Sequence, residues 1–371
     1  SEMAFGNGIG FKFTADMEKD ELFLPRYGSI IVEMSGEPKE LLKDIEYEVL
    51  GNTIDEGYID ILGNRIDLEK LLADWSQPLE DIFPVQDIFP AEDMEYEPMD
   101  IEYTQGVERK STTKVSKPKV FIPIFTGTHG EYDMARSFEE AGGMVDSLVF
   151  RTISEGSIEN SYREMAKRIG ECNILAIPDG AVLGDEPNGG GKLIANVLKN
   201  AHVREAVMDL LDNRDGLILG IGNGFQALMR SGLIPYGRIM DLEEDSPGIT
   251  FNRGGHHIST MARVKVVSNL SPWLSKKEIG DIQILPLSTK EGRIVGSDEI
   301  IEGLIEKGQI ATQYLEFNPT GSIAGIESMT SPDGRILGRV ASSDRVDDGL
   351  YRNVERSEYD DIFKAGVDYF R

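Results

Sequence analysis

Apolar positions change their rhythm near Pro118, and that change organises the whole chain. Beyond it, short apolar runs alternate with segments of helical spacing. Residues 120–125 read as a buried strand, 131–142 as a helix, 145–150 as a strand and 157–169 as a helix. Residues 174–177 form another strand, 192–212 a helix broken near Asn200, and 217–221 a further strand. This alternation predicts an α/β fold: a mostly parallel sheet with helices on both faces and any site at the C-terminal strand ends. After Thr250 the pattern turns to strands at 261–267, 282–288, 309–316 and 323–328. The turn Ser331-Pro332-Asp333-Gly334 signals a hairpin, and an amphipathic helix over 359–369 closes the chain.

Upstream of Pro118 the rhythm is different. A glycine-punctuated start (Gly6, Gly8, Gly10) leads to a strand signal at 27–34, a helix signal at 38–45 and short strands near 47–50 and 57–61. That order predicts a small α+β segment, either complete or the end of a layer whose other strands lie upstream. A short helix over 68–75 follows. From Leu71 to Glu108 no Lys or Arg occurs, D-I-F-P appears twice, and four prolines lie between Pro78 and Pro98, so this stretch reads as an acidic linker. The expected organisation is therefore residues 1–76, a linker over 77–117, and a large domain over 118–371.

Charge and cysteine content narrow the function classes. Over 371 residues, 38 Lys and Arg face 65 Asp and Glu, a net charge of −27, which argues against nucleic acid or an acidic membrane surface as partner. One cysteine, Cys172, cannot form an internal disulfide, and no apolar run is long enough to span a membrane, so the expected location is cytoplasmic.

The candidate chemistry sits at 215–232, where a strand meets Gly222-Asn223-Gly224 and then a helix. This is the outline of a nucleophile elbow, with a side-chain-free glycine where a nucleophile would stand. Two loops lie at the same predicted strand ends: one holds His129, the other Pro178-Asp179-Gly180, whose N–H groups could build an oxyanion hole. Cys172 precedes its strand and reads as a core residue. Adjacent His256 and His257 lack further ligands at suitable spacing, so no metal site is expected.

Several stretches carry a resemblance: the L-G-I-G-N-G-F-Q-A-L elbow, G-D-E-P-N-G-G-G-K at 184–192, S-N-L-S-P-W-L-S at 268–275, E-G-R at 291–293 and G-Q-I-A-T-Q-Y at 308–314. F-N-P-T-G-S at 317–322 and T-S-P-D-G-R at 330–335 add to it. From Pro118 onward the chain resembles the class I glutamine amidotransferase domain, flavodoxin-like in fold, of the phosphoribosylformylglycinamidine synthase family. Residues 1–75 or so resemble the end of that family's synthetase half. The resemblance implies a purine-pathway ligase, with the synthetase half as partner in the same or a separate chain. It implies no cofactor in this chain; ATP and magnesium would belong to the synthetase half.

In that family a cysteine, a histidine and a glutamate form a triad. Here those positions hold Gly222, Ser342 and Asp344, and the family's P-G-G reads Pro178-Asp179-Gly180. Glycine cannot be a nucleophile and serine is no base near neutral pH. The expectation is a lobe that does not hydrolyse glutamine and serves architecture. Asp179, Gly180, Asn223, Gln226 and His129 are the expected pocket residues, with glutamine as a ligand the pocket could retain. Two alternatives stay open: a stand-alone pseudo-amidotransferase binding a small molecule or a protein, and a hydrolase with a relocated nucleophile.

Overall fold

The computed structural model describes residues 2–15, 19–43, 45–80, 99–107, 109–186, 189–346, 350, 351, 354 and 362–371. The chain divides into two units, Ser1–Ile88 and Phe89–Arg371. Both D-I-F-P repeats and residues 81–98 and 108 of the expected linker lie outside the described residues.

The first unit contains α1 (Glu2–Phe5), β1 (Gly10–Phe13), α2 (Pro38–Leu41), β2 (Gly51–Ile54), β3 (Tyr58–Ile61), β4 (Asn64–Asp67) and α3 (Leu68–Glu80). Its sheet has the order β2-β1-β3-β4, with β1 parallel to β3 and the other pairs antiparallel. Ala4, Ile59 and Leu68 form its buried centre, with Phe5, Phe11, Phe13, Ile61 and Leu71 packed around them. The expected strand at 27–34 is absent: Tyr27, Ile30, Ile31 and Val32 are exposed and pair with no ladder. β-Propensity alone cannot hold a strand without a neighbour to complete its hydrogen bonds. The strand expected at 47–50 instead forms at β2, a few residues later, where it pairs β1.

The described part of the second unit begins with a strap, residues 99–107 and 109–117, which includes the end of the expected linker. Tyr103 N–H donates to Val267 O at 2.8 Å, Val115 N–H to Phe370 O at 2.9 Å, and Ile101 is buried. There follow β5 (Lys119–Ile124), α4 (Glu131–Glu140), β6 (Met144–Val149), α5 (Glu155–Glu171), β7 (Ile174–Ile177), α6 (Lys192–Lys199) and α7 (Ala201–Asp212). Asn200 separates α6 from α7 and caps α7 through His202 N–H, which is the expected break. Next come β8 (Leu217–Ile221), α8 (Asn223–Ser231), α9 (Leu233–Tyr236), β9 (Gly248–Thr250), β10 (Ile258–Val266), β11 (Ile282–Thr289), β12 (Arg293–Val295) and α10 (Asp298–Glu306). The unit ends with β13 (Ile310–Tyr314), β14 (Ile326–Thr330), β15 (Ile336–Arg339) and α11 (Ile362–Asp368).

Nine strands make one sheet in the order β11-β10-β13-β14-β15-β8-β7-β5-β6. From β6 to β15 neighbours are parallel; from β15 to β11 they are antiparallel. The α/β fold expected from the sequence is the fold observed, and the strands after residue 250 add an antiparallel wing. Alternation along β5 shows why both faces are covered. Phe121 packs with Met165, Ile169 and Leu210 of α5 and α7, whereas Val120 and Ile122 pack with Met134, Phe138 and Phe363 of α4 and α11. With both faces covered, the C-terminal ends of β5, β7, β8 and β15 are where loops can gather.

Candidate active site

Between β8 and α8 the chain turns through the single residue Gly222, with φ +52° and ψ −111°. An L side chain rarely adopts that conformation, and a strand-to-helix corner of this shape is how an elbow lifts one residue above a sheet. Gly222 N–H donates to Arg339 O on β15 at 2.9 Å, which ties the corner to the strand leading into Ser342 and Asp344.

The loop after β7 faces this corner. Its Asp179 O accepts the N–H groups of His129 and Gly130 at 3.2 and 3.3 Å, and Gly180 bridges Thr128. Oδ1 of Asp179 accepts the Asn223 N–H at 2.9 Å. A Cβ placed on Gly222 would lie 2.1 Å from that oxygen and 2.4 Å from Asp179 Cγ. The carboxylate therefore fills the space into which a side chain at the corner would project.

The third piece follows β15. A buried Glu327–Arg339 ion pair at 3.1 Å anchors it, and Glu327 Oε1 also accepts the N–H groups of Val340 and Ala341 at 3.1 and 2.8 Å. Ser342 is buried and donates its N–H to Pro286 O at 2.9 Å. Asp344, 1% exposed, has no hydrogen-bond partner for either carboxyl oxygen among the described residues. Burial pushes its carboxyl up to about 7; Arg345 pulls it down and Asp179 pushes it up. Asp344 lies close to the Asp179 loop: a Cβ on Gly130 would be 3.3 Å from Asp344 Oδ2 and 3.2 Å from Asp179 N.

A family model for the CobB/CobQ-like glutamine amidotransferase domain matches residues 117–370. The chain belongs to the CobB/CobQ-like glutamine amidotransferase family. Its amidotransferase domain is 27% identical over 233 residues to the phosphoribosylformylglycinamidine synthase subunit PurQ of Rhodococcus jostii, covering 62% of this chain and 89% of that protein. The PurQ subunit of Treponema denticola is 28% identical over 282 residues, 68% of this chain and 99% of the relative. Among solved structures, PurLQS from Thermotoga maritima matches with a TM-score of 0.52 at 18% identity, covering 69% of this chain and 100% of the matched one, a likeness of fold.

Several expected residues of the amidotransferase domain meet at one place. Gly222, Asn223 and Asp179 meet at the elbow, while Gly180 sits beside Asp179 against Thr128 and Asp344 lies next to the Asp179 loop. Gln226 lies one turn along α8, donating from Nε2 to Glu291 O at 2.8 Å. The His129 ring is engaged by Arg345, with Nδ1 2.8 Å from Nη2, and Arg345 also donates to Asp133 Oδ2 at 3.3 Å. Cys172 sits at the opposite end of β7, buried, with its thiol pushed up to about 12 by burial. His256 and His257 turn to Gly254 O and Ser288 Oγ at 3.1 and 3.0 Å. Among the described residues, no group of three or more His, Cys, Asp or Glu could hold a metal.

Sequence reasoning missed three polar residues that support the elbow. Asp185 Oδ2 accepts from Asn223 Nδ2 at 2.6 Å and from Val182 N–H at 2.9 Å, and burial raises its carboxyl above the ordinary range. Glu291 Oε2 accepts the Gly190 N–H at 2.6 Å, while Arg230 Nε donates to Gly190 O at 2.6 Å. The available signal was their setting: charged residues in or beside glycine-rich stretches, of which E-G-R and G-D-E-P-N-G-G-G-K are two.

Proposed function

We propose that this amidotransferase domain does not hydrolyse glutamine and serves as an architectural lobe of a phosphoribosylformylglycinamidine synthase-like ligase of purine biosynthesis. The observation that carries this reading is the corner itself. Gly222 offers no nucleophile, and the strand end that should supply a base and its orienting acid supplies Ser342 and Asp344 instead. Triad members act as a unit, so replacing all three leaves no proton relay to rebuild. Cys172 does not substitute for them. It is buried at the far end of β7, and a thiol held near 12 gives almost no thiolate at neutral pH.

In this reading the partner is a synthetase half, in the same or a separate chain. ATP and magnesium act there, and ammonia comes from solution rather than from glutamine. The names of the PurQ relatives and of PurLQS support that class of partner. The decisive measurement is ammonia release from glutamine by the full chain and by its Cys172→Ala variant. No release is expected; release that survives Cys172→Ala overturns the reading.

A second reading, a pseudo-amidotransferase that binds a small molecule, is favoured by the oxygens of Asp344 and Asn223 near the elbow that have no hydrogen-bond partner among the described residues. Buried polar atoms without partners are the groups a ligand's donors would satisfy. Tight binding of a small molecule by the full chain, abolished by Asp344→Ala, would support it over a purely architectural lobe.

A further inference from the structure

We infer that Asp179 determines what the pocket admits: its carboxylate occupies the oxyanion hole in the place of a substrate carbonyl and so excludes glutamine and other acyl ligands. The inference rests on the proposed loss of glutaminase activity and says what took the substrate's place.

In an elbow of this kind the oxyanion hole is formed by the N–H of the residue after the nucleophile together with an N–H from a facing loop. The residue after the corner here is Asn223, and its N–H already has an acceptor, Asp179 Oδ1 at 2.9 Å. A negative oxygen at the first turn of the nine-residue α8 is also what a helix N-terminus favours. Asp179 thus takes the Asn223 donor that would face the charge of a tetrahedral intermediate, as an internal ligand.

The same geometry couples two positions. An ideal Cβ on Gly222 would meet Oδ1 at 2.1 Å, Cγ at 2.4 Å and Oδ2 at 3.0 Å. No side chain larger than hydrogen fits at the corner while the carboxylate stays where it is. The glycine at 222 and the aspartate at 179 are therefore two halves of one exchange: volume removed from the corner is filled from the facing loop. Filling it also satisfies the Asn223 N–H, which would otherwise be a buried donor without a partner.

Two measurements on the full chain test this. The first is a double-mutant cycle between Gly222→Ala and Asp179→Gly, read as thermal midpoints. Gly222→Ala is expected to lower the midpoint by several degrees in the natural background and by distinctly less beside Asp179→Gly; additive shifts overturn the inference. The second is calorimetric titration with L-glutamine. Asp179→Gly is expected to bind glutamine at least about tenfold more tightly than the natural chain. Asp179→Asn, which keeps the volume, is expected to bind no better than the natural chain. Equal affinity in all three proteins, with thermal midpoints showing them folded, overturns the inference even if no ammonia is released. Ammonia release by the natural chain instead overturns the reading of an inert lobe, so the two failures are distinguishable.

Discussion

Asp344 holds its carboxyl in a buried site, and that burial gives the protein a pH dependence with a definite sign. Its folded pKa, about 7, lies above the ordinary value of 3.8, so between these pH values the folded state binds more protons than the unfolded chain. Stability from this residue is highest below about pH 4 and falls as pH rises towards 7, by on the order of a few kcal/mol. Asp344→Asn should remove that slope: compared with the natural chain, its thermal midpoint should gain from pH 5 to pH 8. A difference between the two proteins that stays constant over this range would refute the assignment. The Glu327–Arg339 pair gives a second prediction. With side chains 0% and 1% exposed, removing Glu327 takes the carboxylate away from a buried guanidinium and from the N–H groups of Val340 and Ala341. Glu327→Ala should cost roughly 3–5 kcal/mol in urea unfolding, whereas replacing both residues with Met should cost far less. Residue identity alone revealed that the triad positions and the P-D-G loop were altered. It could not reveal that the Asp179 side chain points into the corner, because that depends on a turn assembled from distant parts of the chain.

At the scale of elements, the local signals that proved legible were those reinforced by packing. The strands at β5, β7 and β8, the break between α6 and α7, and the hairpin joining β14 to β15 all follow from apolar spacing and turn residues. The failure at 27–34 has the opposite cause: a β-prone run with no strand beside it stays exposed. Helix starts show the same dependence on local chemistry. α5 begins earlier than its apolar period suggests because Ser154 and Ser157 form a reciprocal cap, Ser157 N–H reaching Ser154 Oγ at 3.3 Å and Ser154 N–H reaching Ser157 Oγ at 2.8 Å. Ser154→Ala should therefore lower stability by about 1 kcal/mol in chemical unfolding, with Asp at the same position restoring most of it.

At the scale of the whole molecule, the two units hold very unequal cores. Among the described residues, the N-terminal unit buries a cluster of Ala4, Ile59 and Leu68, whereas the C-terminal unit buries two large clusters on either face of its sheet. So small a core gives marginal stability. Differential scanning calorimetry should resolve an early, weak transition from a later, dominant one; a single cooperative transition would show that the units stabilise each other. The net charge of −27 adds self-repulsion throughout, so raising salt from ~10 mM to ~0.5 M should raise the main transition. The Gly222 corner also limits what a single substitution can do. A cysteine placed there would stand at the φ of +52°, on the kind of strained turn where an elbow holds its nucleophile, but its Cβ would lie 2.1 Å from the Asp179 carboxylate. Positions 179 and 222 therefore vary as a pair: the corner admits a side chain only once the facing aspartate has been shortened or turned aside.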